Sequence, residues 1–280
     1  MRKPKFLVIG ATKAGTSSLR HYLRQHPDIF IPQAFKEPGF FCFGANGDSM
    51  HRIVRDEAQY YGLFDGVTDE AVWGEITPHY LTFPQAAENI HAAIPDARLV
   101  VSLRNPVDRA FSLYQMNLRN KRHNEGVPFV EAVRVDPVTR KTYAEDIRRF
   151  QELFGAERLL TLLFDELVAD PTGTTQQVFG FLGVDAGFVP ATEKVVNPGG
   201  LPRSRLLHLA LSNRTARRIG RRFVPMAVQN RLEAVKNANL VAQRLTPEER
   251  FEAAQEFRDD ILRTQDLIGR DLSRWLAPAS

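Results

Sequence analysis

The chain has 280 residues, 43% of them hydrophobic and 25% charged, with no repeat or low-complexity tract, which excludes a fibrous or chiefly disordered protein. A formal net charge of +4 is too small to name a partner, although it suits an anion-binding cleft, and no nucleic-acid partner is expected. The single cysteine, Cys42, excludes an intrachain disulfide and a cysteine metal cluster; between Phe41 and Phe43 it reads as a small buried hydrophobe in a reducing compartment.

The apolar run at 6–9 is shorter than the roughly 7–15 residues of a secretory core or the about 20 of a membrane span, so a cytoplasmic location is expected. That run ends at Gly10 and reads as a buried parallel strand. Residues 16–25 read as a helix with Leu19, Tyr22 and Leu23 on one face and Pro27 beyond it. A short strand at 29–31 precedes a loop with Pro32 and Pro38, and 72–76 is a strand closed by Thr77 and Pro78. Residues 98–103 form the clearest strand, leading through Asn105 and Pro106 into a helix over 107–120. A helix at 143–154, a strand at 158–164 and a helix at 172–182 ended by Gly183 follow. Beyond about 203 the pattern is helical only, with Pro247 near the start of the last long helix. The expected fold is therefore α/β, one domain over 1–280: a parallel sheet flanked by helices over 1–185 and a helical part over 186–280.

In such sheets ligands sit beyond the carboxyl ends of strands, which directs attention to the exits after Ile9 and Leu103. The first exit reads Gly10-Ala-Thr-Lys-Ala-Gly15-Thr-Ser-Ser18 and opens a helix, so its backbone amides and the helix dipole favour an anion. Lys13 adds a charge, Ala14 and Gly15 shape the backbone, and Thr16, Ser17 and Ser18 add hydroxyls. The nucleoside-triphosphate loop G-x-x-x-x-G-K-[ST] has the same glycine spacing, yet Thr16 stands in the lysine position and the lysine comes earlier, at Lys13. That displacement argues for a different phosphate donor; the plainer alternative is a turn whose hydroxyls only cap the helix. The second exit, from Arg104 to Ser112, offers a guanidinium fork and a hydroxyl to one dianion, unless Arg104 merely pairs with Asp108.

The stretch from Lys13 to Ser18 resembles the 5′-phosphosulfate loop of the sulfotransferases that use PAPS (3′-phosphoadenosine 5′-phosphosulfate). Arg104 with Ser112 resembles that family's 3′-phosphate motif. The similarity runs over roughly 5–185, through the segment from Val72 to Tyr80, the strand near 158–167, Asp170-Pro171 and Phe181-Leu-Gly183. It implies a P-loop-like sulfotransferase fold, PAPS as co-substrate and PAP as product, with Lys13, Ala14, Gly15, Thr16, Ser17, Ser18, Arg104 and Ser112 binding it; Arg203 is counted with them. Phe35-Lys-Glu-Pro-Gly-Phe-Phe41 resembles the segment that carries a catalytic glutamate in the Golgi (carbohydrate) branch, which makes Glu37 the implied general base, beside Lys13 as the second catalytic residue. The chain thus looks like a soluble, bacterial-like member of that branch. Lys36 and His79 are the candidate acceptor contacts, and aromatic neighbours are expected to keep Glu37 in a partly dry pocket that raises its pKa. Ile76 and Gly39 replace a lysine and a histidine found in some relatives, which strips polar groups from the presumed acceptor side.

The histidines show no metal-ligand spacing, so no metal is expected. Arg214, Arg217, Arg218, Arg221 and Arg222 would share one helical face, either solvated or serving as a rail for an anionic acceptor or an anionic membrane surface. The implied reaction moves sulfonate to a hydroxyl or amine of a glycan, glycolipid or small molecule. The alternatives are a P-loop-type nucleotide kinase or NTPase, and a non-enzymatic anion-binding module.

Overall fold

The computed structural model describes residues 1–44, 53–119, 125–192, 201–202, 240–241 and 243–277. Its elements in order are β1 (Phe6–Gly10), α1 (Thr16–Leu23), β2 (Ile29–Phe30), α2 (Glu57–Gly62), β3 (Val72–Ile76), α3 (Ala86–Ala93), β4 (Arg98–Leu103) and α4 (Pro106–Arg119). There follow α5 (Phe129–Val135), α6 (Ala144–Phe154), β5 (Leu159–Leu163), α7 (Phe164–Ala169), α8 (Pro171–Leu182), β6 (Leu201–Pro202), β7 (Leu240–Val241) and a long helix, here α9 (Pro247–Ile268).

Five parallel strands form one sheet in the order β2-β3-β1-β4-β5. Strand β1 is central and buried along its whole length, which is why it reads as an unbroken apolar run. Side chains alternate across the sheet. Leu7, Ile9, Leu99, Val101 and Leu103 enter one core layer with residues of α3, α6 and α9. Phe6, Val8, Val100 and Leu162 enter the other with Leu19 and Leu23 of α1 and Val178 and Phe179 of α8. Helices α1 and α3 therefore cover opposite faces, and the order reverses around β1, which opens a crevice at the carboxyl ends of β1 and β4.

Helix α9 starts with a capping box between Thr246 and Glu249, carries Pro247 in its first turn and ends at Gly269 with φ 62°. Its Asp260 accepts from the Tyr143 and Ala144 amides at 2.9 and 3.0 Å, capping α6. Strand and helix positions match the sequence reading within a residue or two. The short helices α2, α3, α5 and α7 were not anticipated. One correction concerns the C-terminal part: Leu240–Val241 pairs antiparallel with Leu201–Pro202, so the region after 203 is not helical only. Arg203 and the arginine stripe at 214–222 lie outside the described residues. Among the described residues no helix is long and apolar enough to cross a membrane.

Candidate active site

Strand β1 delivers the chain into a tight loop at Gly10, where any Cβ would sit 2.7 Å from that of Leu81. The backbone then turns left-handed at Lys13, φ 70°, and again at Gly15, φ 82°. Gly15 is the N-cap of α1, and a side chain there would meet Phe164 and Leu167 at 2.9 Å, so glycine is required on two counts. No side chain caps this helix; the Thr16 and Ser17 hydroxyls are not spent on the turn. The Ser18 and Leu19 amides bond the Gly15 carbonyl at 2.9 and 3.0 Å. The amides of Gly15, Thr16 and Ser17 make no backbone hydrogen bond among the described residues. They are first-turn donors of the kind that hold phosphate oxygens.

The second strand exit braces this loop. The Ser102 hydroxyl donates to the Ala14 carbonyl at 2.7 Å, and the Ala11 amide donates to the Ser102 carbonyl at 2.8 Å. Arg104 Nη1 donates to the Lys13 carbonyl at 3.2 Å, and its guanidinium lies 4.7 Å over the Phe164 ring. The two strand exits therefore share one wall of the crevice. The Tyr143 hydroxyl donates to the Arg104 carbonyl at 2.8 Å and fixes the backbone from behind. Asp108 is not the partner of Arg104: it accepts two hydrogen bonds from Arg250, at 2.6 and 3.0 Å. Ser112 lies along α4, half-buried.

Charge is crowded here. The Lys13 ammonium is lowered to about 8 by burial first and then by Arg119, Arg104 and Lys36, with Glu37 opposing. Its nearest partner is Met116 Sδ at 3.9 Å. Burial also lowers Arg104, against the pull of Asp108, Tyr143 and Asp165, and it lowers Arg119. Cations held together in a partly dry cleft favour an anion between them. Arg119 was missed in the sequence; it sits seven residues after Ser112, so α4 presents both on one side.

Glu37 lies beside the loop through Lys36. Lys36 Nζ donates to Ser17 Oγ at 2.8 Å and stands 3.7 Å from the Glu37 carboxylate. The Glu37 side chain is 32% exposed, while Phe40 and Phe41 behind it are buried. The buried carboxylate is instead Glu75, 1% exposed, raised to about 7 by desolvation against hydrogen bonds from Tyr80, Thr77 and Tyr60. Gly39 has φ 64°, so glycine serves the backbone there, and Ile76 packs in the core layer with Phe6, Val8 and Leu19. His79 is half-buried, and its carbonyl accepts from the Phe83 amide at 3.0 Å. Among the described residues no group of three or more His, Cys, Asp or Glu is placed to hold a metal ion.

Comparison with known proteins agrees with this geometry. A profile described as "Sulfotransferase family" matches residues 59–187. A sulfotransferase crystal structure from Alicyclobacillus acidocaldarius is 31% identical, with a TM-score of 0.73 over 99% of this chain and 100% of that one. Mouse heparan sulfate glucosamine 3-O-sulfotransferase 6 is 32% identical over 196 residues, 65% of this chain and 53% of that protein. Mouse bifunctional heparan sulfate N-deacetylase/N-sulfotransferase 4 is 26% identical over 249 residues, 81% of this chain and 28% of that protein. The chain spans about half the length of the first of these curated relatives and less of the second. On the crevice, the profile and the full-length match to a sulfotransferase structure, the chain belongs to the sulfotransferase family.

Proposed function

We propose that this protein transfers sulfonate from PAPS to a hydroxyl or amine of a glycan, glycolipid or small molecule and releases PAP. The observation that carries the reading is the shared wall of the two strand exits, where Arg104 holds the Lys13 carbonyl and cations surround Lys13. The residues fit the donor's chemistry: the first-turn amides, Lys13, Thr16, Ser17 and Ser18 would hold the 5′-phosphosulfate, and Arg104 and Ser112 the 3′-phosphate. The donor supplies an activated sulfur with a phosphate leaving group. Glu37 accepts the proton of the acceptor as its oxygen or nitrogen bonds to sulfur. Lys13 would stabilise the negative charge that stays on the departing phosphate oxygen when the sulfur–oxygen bond breaks. Lys36, between Ser17 and Glu37, is suited to hold the sulfonate or the acceptor beside the base.

A cytoplasmic location belongs to the same reading and is supported by the cysteine count. The test is incubation with sulfur-labelled PAPS and a panel of glycans, glycolipids and small alcohols and amines, with PAP binding measured without magnesium. Labelled product and magnesium-independent PAP binding are expected. Magnesium-dependent ATP binding with no PAP binding would overturn the proposal in favour of a kinase or NTPase.

A further inference from the structure

Glu75 is a costly residue for the place it occupies. It lies on the interior strand β3, 1% exposed, and its charge is felt by the Arg20 guanidinium of α1 without a salt bridge between them. A buried carboxylate without a direct ion pair is unfavourable unless donors satisfy it, and an apolar or amide side chain would suit a core better. Its satisfaction is specific. Oε1 accepts from the Tyr80 hydroxyl at 2.6 Å and the Tyr60 hydroxyl at 3.3 Å, and Oε2 accepts from Thr77 Oγ1 at 2.8 Å.

A hydroxyl has one proton to give. Once Thr77 gives its proton to Glu75, only lone pairs remain for its other neighbour, which is the Gly39 amide at 3.1 Å. Tyr80 is oriented in the same way, and the Phe41 amide approaches its hydroxyl at 3.5 Å, the limit of a hydrogen bond. Tyr60 adds its ring, stacked on Phe40 at 4.3 Å and 10°. Each of residues 39–41 thus rests on a group that Glu75 orients, and Pro38 links them stiffly to Glu37.

We propose that Glu75 is a positioning residue that holds the Glu37 segment beside the Gly10–Ser18 loop by drawing the Thr77 and Tyr80 protons to itself and so leaving their lone pairs to accept from the Gly39 and Phe41 amides. This deepens the proposed function, because it matters to catalysis only if Glu37 is the base. Its geometric half stands on its own.

The experiment uses the full chain with Thr77→Val, Thr77→Ser and Glu75→Gln, and reads two quantities. One is amide hydrogen exchange at Gly39 and Phe41; the other is kcat for sulfonate transfer beside the Kd for PAP. Thr77→Val keeps the shape and removes the acceptor, so exchange at Gly39 should accelerate. kcat should fall by about 10–100-fold, the cost of a small displacement of a catalytic group, with the Kd for PAP within about twofold. Thr77→Ser should restore both readouts. Glu75→Gln should act like Thr77→Val, and the two together should cost less than the product of the single effects, since they break one path. Should Glu75→Gln fail to fold, the Thr77 pair still decides. Unchanged Gly39 exchange in Thr77→Val would overturn the proposal, as would a fall in PAP affinity that matches the fall in kcat. A wild type that transfers no sulfonate would sink the proposed function instead, and the exchange readout would still judge the positioning.

Discussion

The crowding of cations around Lys13 makes a quantitative prediction about PAP affinity and pH. Burial and the charges of Arg119, Arg104 and Lys36 bring the Lys13 ammonium to about 8, from an ordinary 10.5. For a base with a depressed folded-state pKa, the charged form is disfavoured in the empty cleft, and its proton leaves as pH rises through about 8. A bound phosphate dianion reverses the balance and returns the pKa toward its ordinary value, so binding above pH 8 must take up a proton. Lys13 is roughly nine-tenths protonated at pH 7 and about one-tenth at pH 9, by the ordinary titration relation. The Kd for PAP should therefore rise about tenfold from pH 7 to pH 9, about 1.4 kcal/mol. The ligand does not supply this slope, because phosphate's second pKa is about 6 and its charge is complete above pH 7. Calorimetry in buffers of different ionisation enthalpy checks both the slope and the proton uptake. Lys13→Arg should bind with little pH dependence over the same range, and Lys13→Ala should bind weakly and also flatly. A wild-type Kd constant between pH 7 and 9 would refute the reasoning, showing either that Lys13 keeps its ordinary pKa or that PAP does not engage it.

Other outcomes are expected on the same geometry. Arg104→Ala and Ser112→Ala should each weaken PAP by about 1.5–3 kcal/mol while affecting adenosine 5′-phosphosulfate, which lacks the 3′-phosphate, far less; equal losses would assign these residues to the fold. Glu37→Gln should preserve PAP binding and lower turnover by about 10²–10⁴, and near-normal turnover would move the base elsewhere. Arg250→Met should weaken PAP several-fold by leaving Asp108 unpaired beside Arg104, and adding Asp108→Asn should recover affinity; ligand titration of both variants decides, since no recovery would mean that the Asp108–Arg250 pair acts only on stability.

How much of this was legible in the sequence depends on how local each signal is. Strand β1 is an unbroken apolar run and β4 is interrupted only by the buried Ser102 after its exposed first residue, so both are easily read. The loop from Gly10 to Ser18 is a contiguous stretch with glycines at fixed spacing, and Arg104 with Ser112 spans a single strand-to-helix turn. What the spacing did not reveal is the left-handed backbone at Lys13, a residue type that seldom adopts it. Alternation along β3 places Ile76 in the core layer, which shows only once the sheet is assembled. Glu75 was visible as a letter, but its meaning depends on hydroxyls from Tyr60, Thr77 and Tyr80 that converge through tertiary packing. Asp108 was the natural neighbour for Arg104 by proximity in sequence, and its actual partner lies 142 residues away.

That long separation shows how the last described segment contributes to a site it does not line. Four contacts from residues 243–277 reach the second strand exit or its immediate support. Arg250 takes Asp108, Asp260 caps α6 at Tyr143, the Trp275 carbonyl accepts from Asn105 Nδ2 at 3.2 Å, and Trp275 Nε1 donates to Asp165 at 3.3 Å. Tyr143 in turn holds the Arg104 carbonyl, and α7, to which Asp165 belongs, brings Phe164 and Leu167 against Gly15. The Arg104 guanidinium is desolvated, and in the proposed role of holding a dianion it would gain from a backbone fixed before the ligand arrives. Removing Asp108 as a competitor and anchoring the Arg104 carbonyl are two ways of doing so. Both come from side chains that are remote in sequence and close in space. The cleft is therefore read from its two loops, but its preorganisation belongs to α9 and the turn after it.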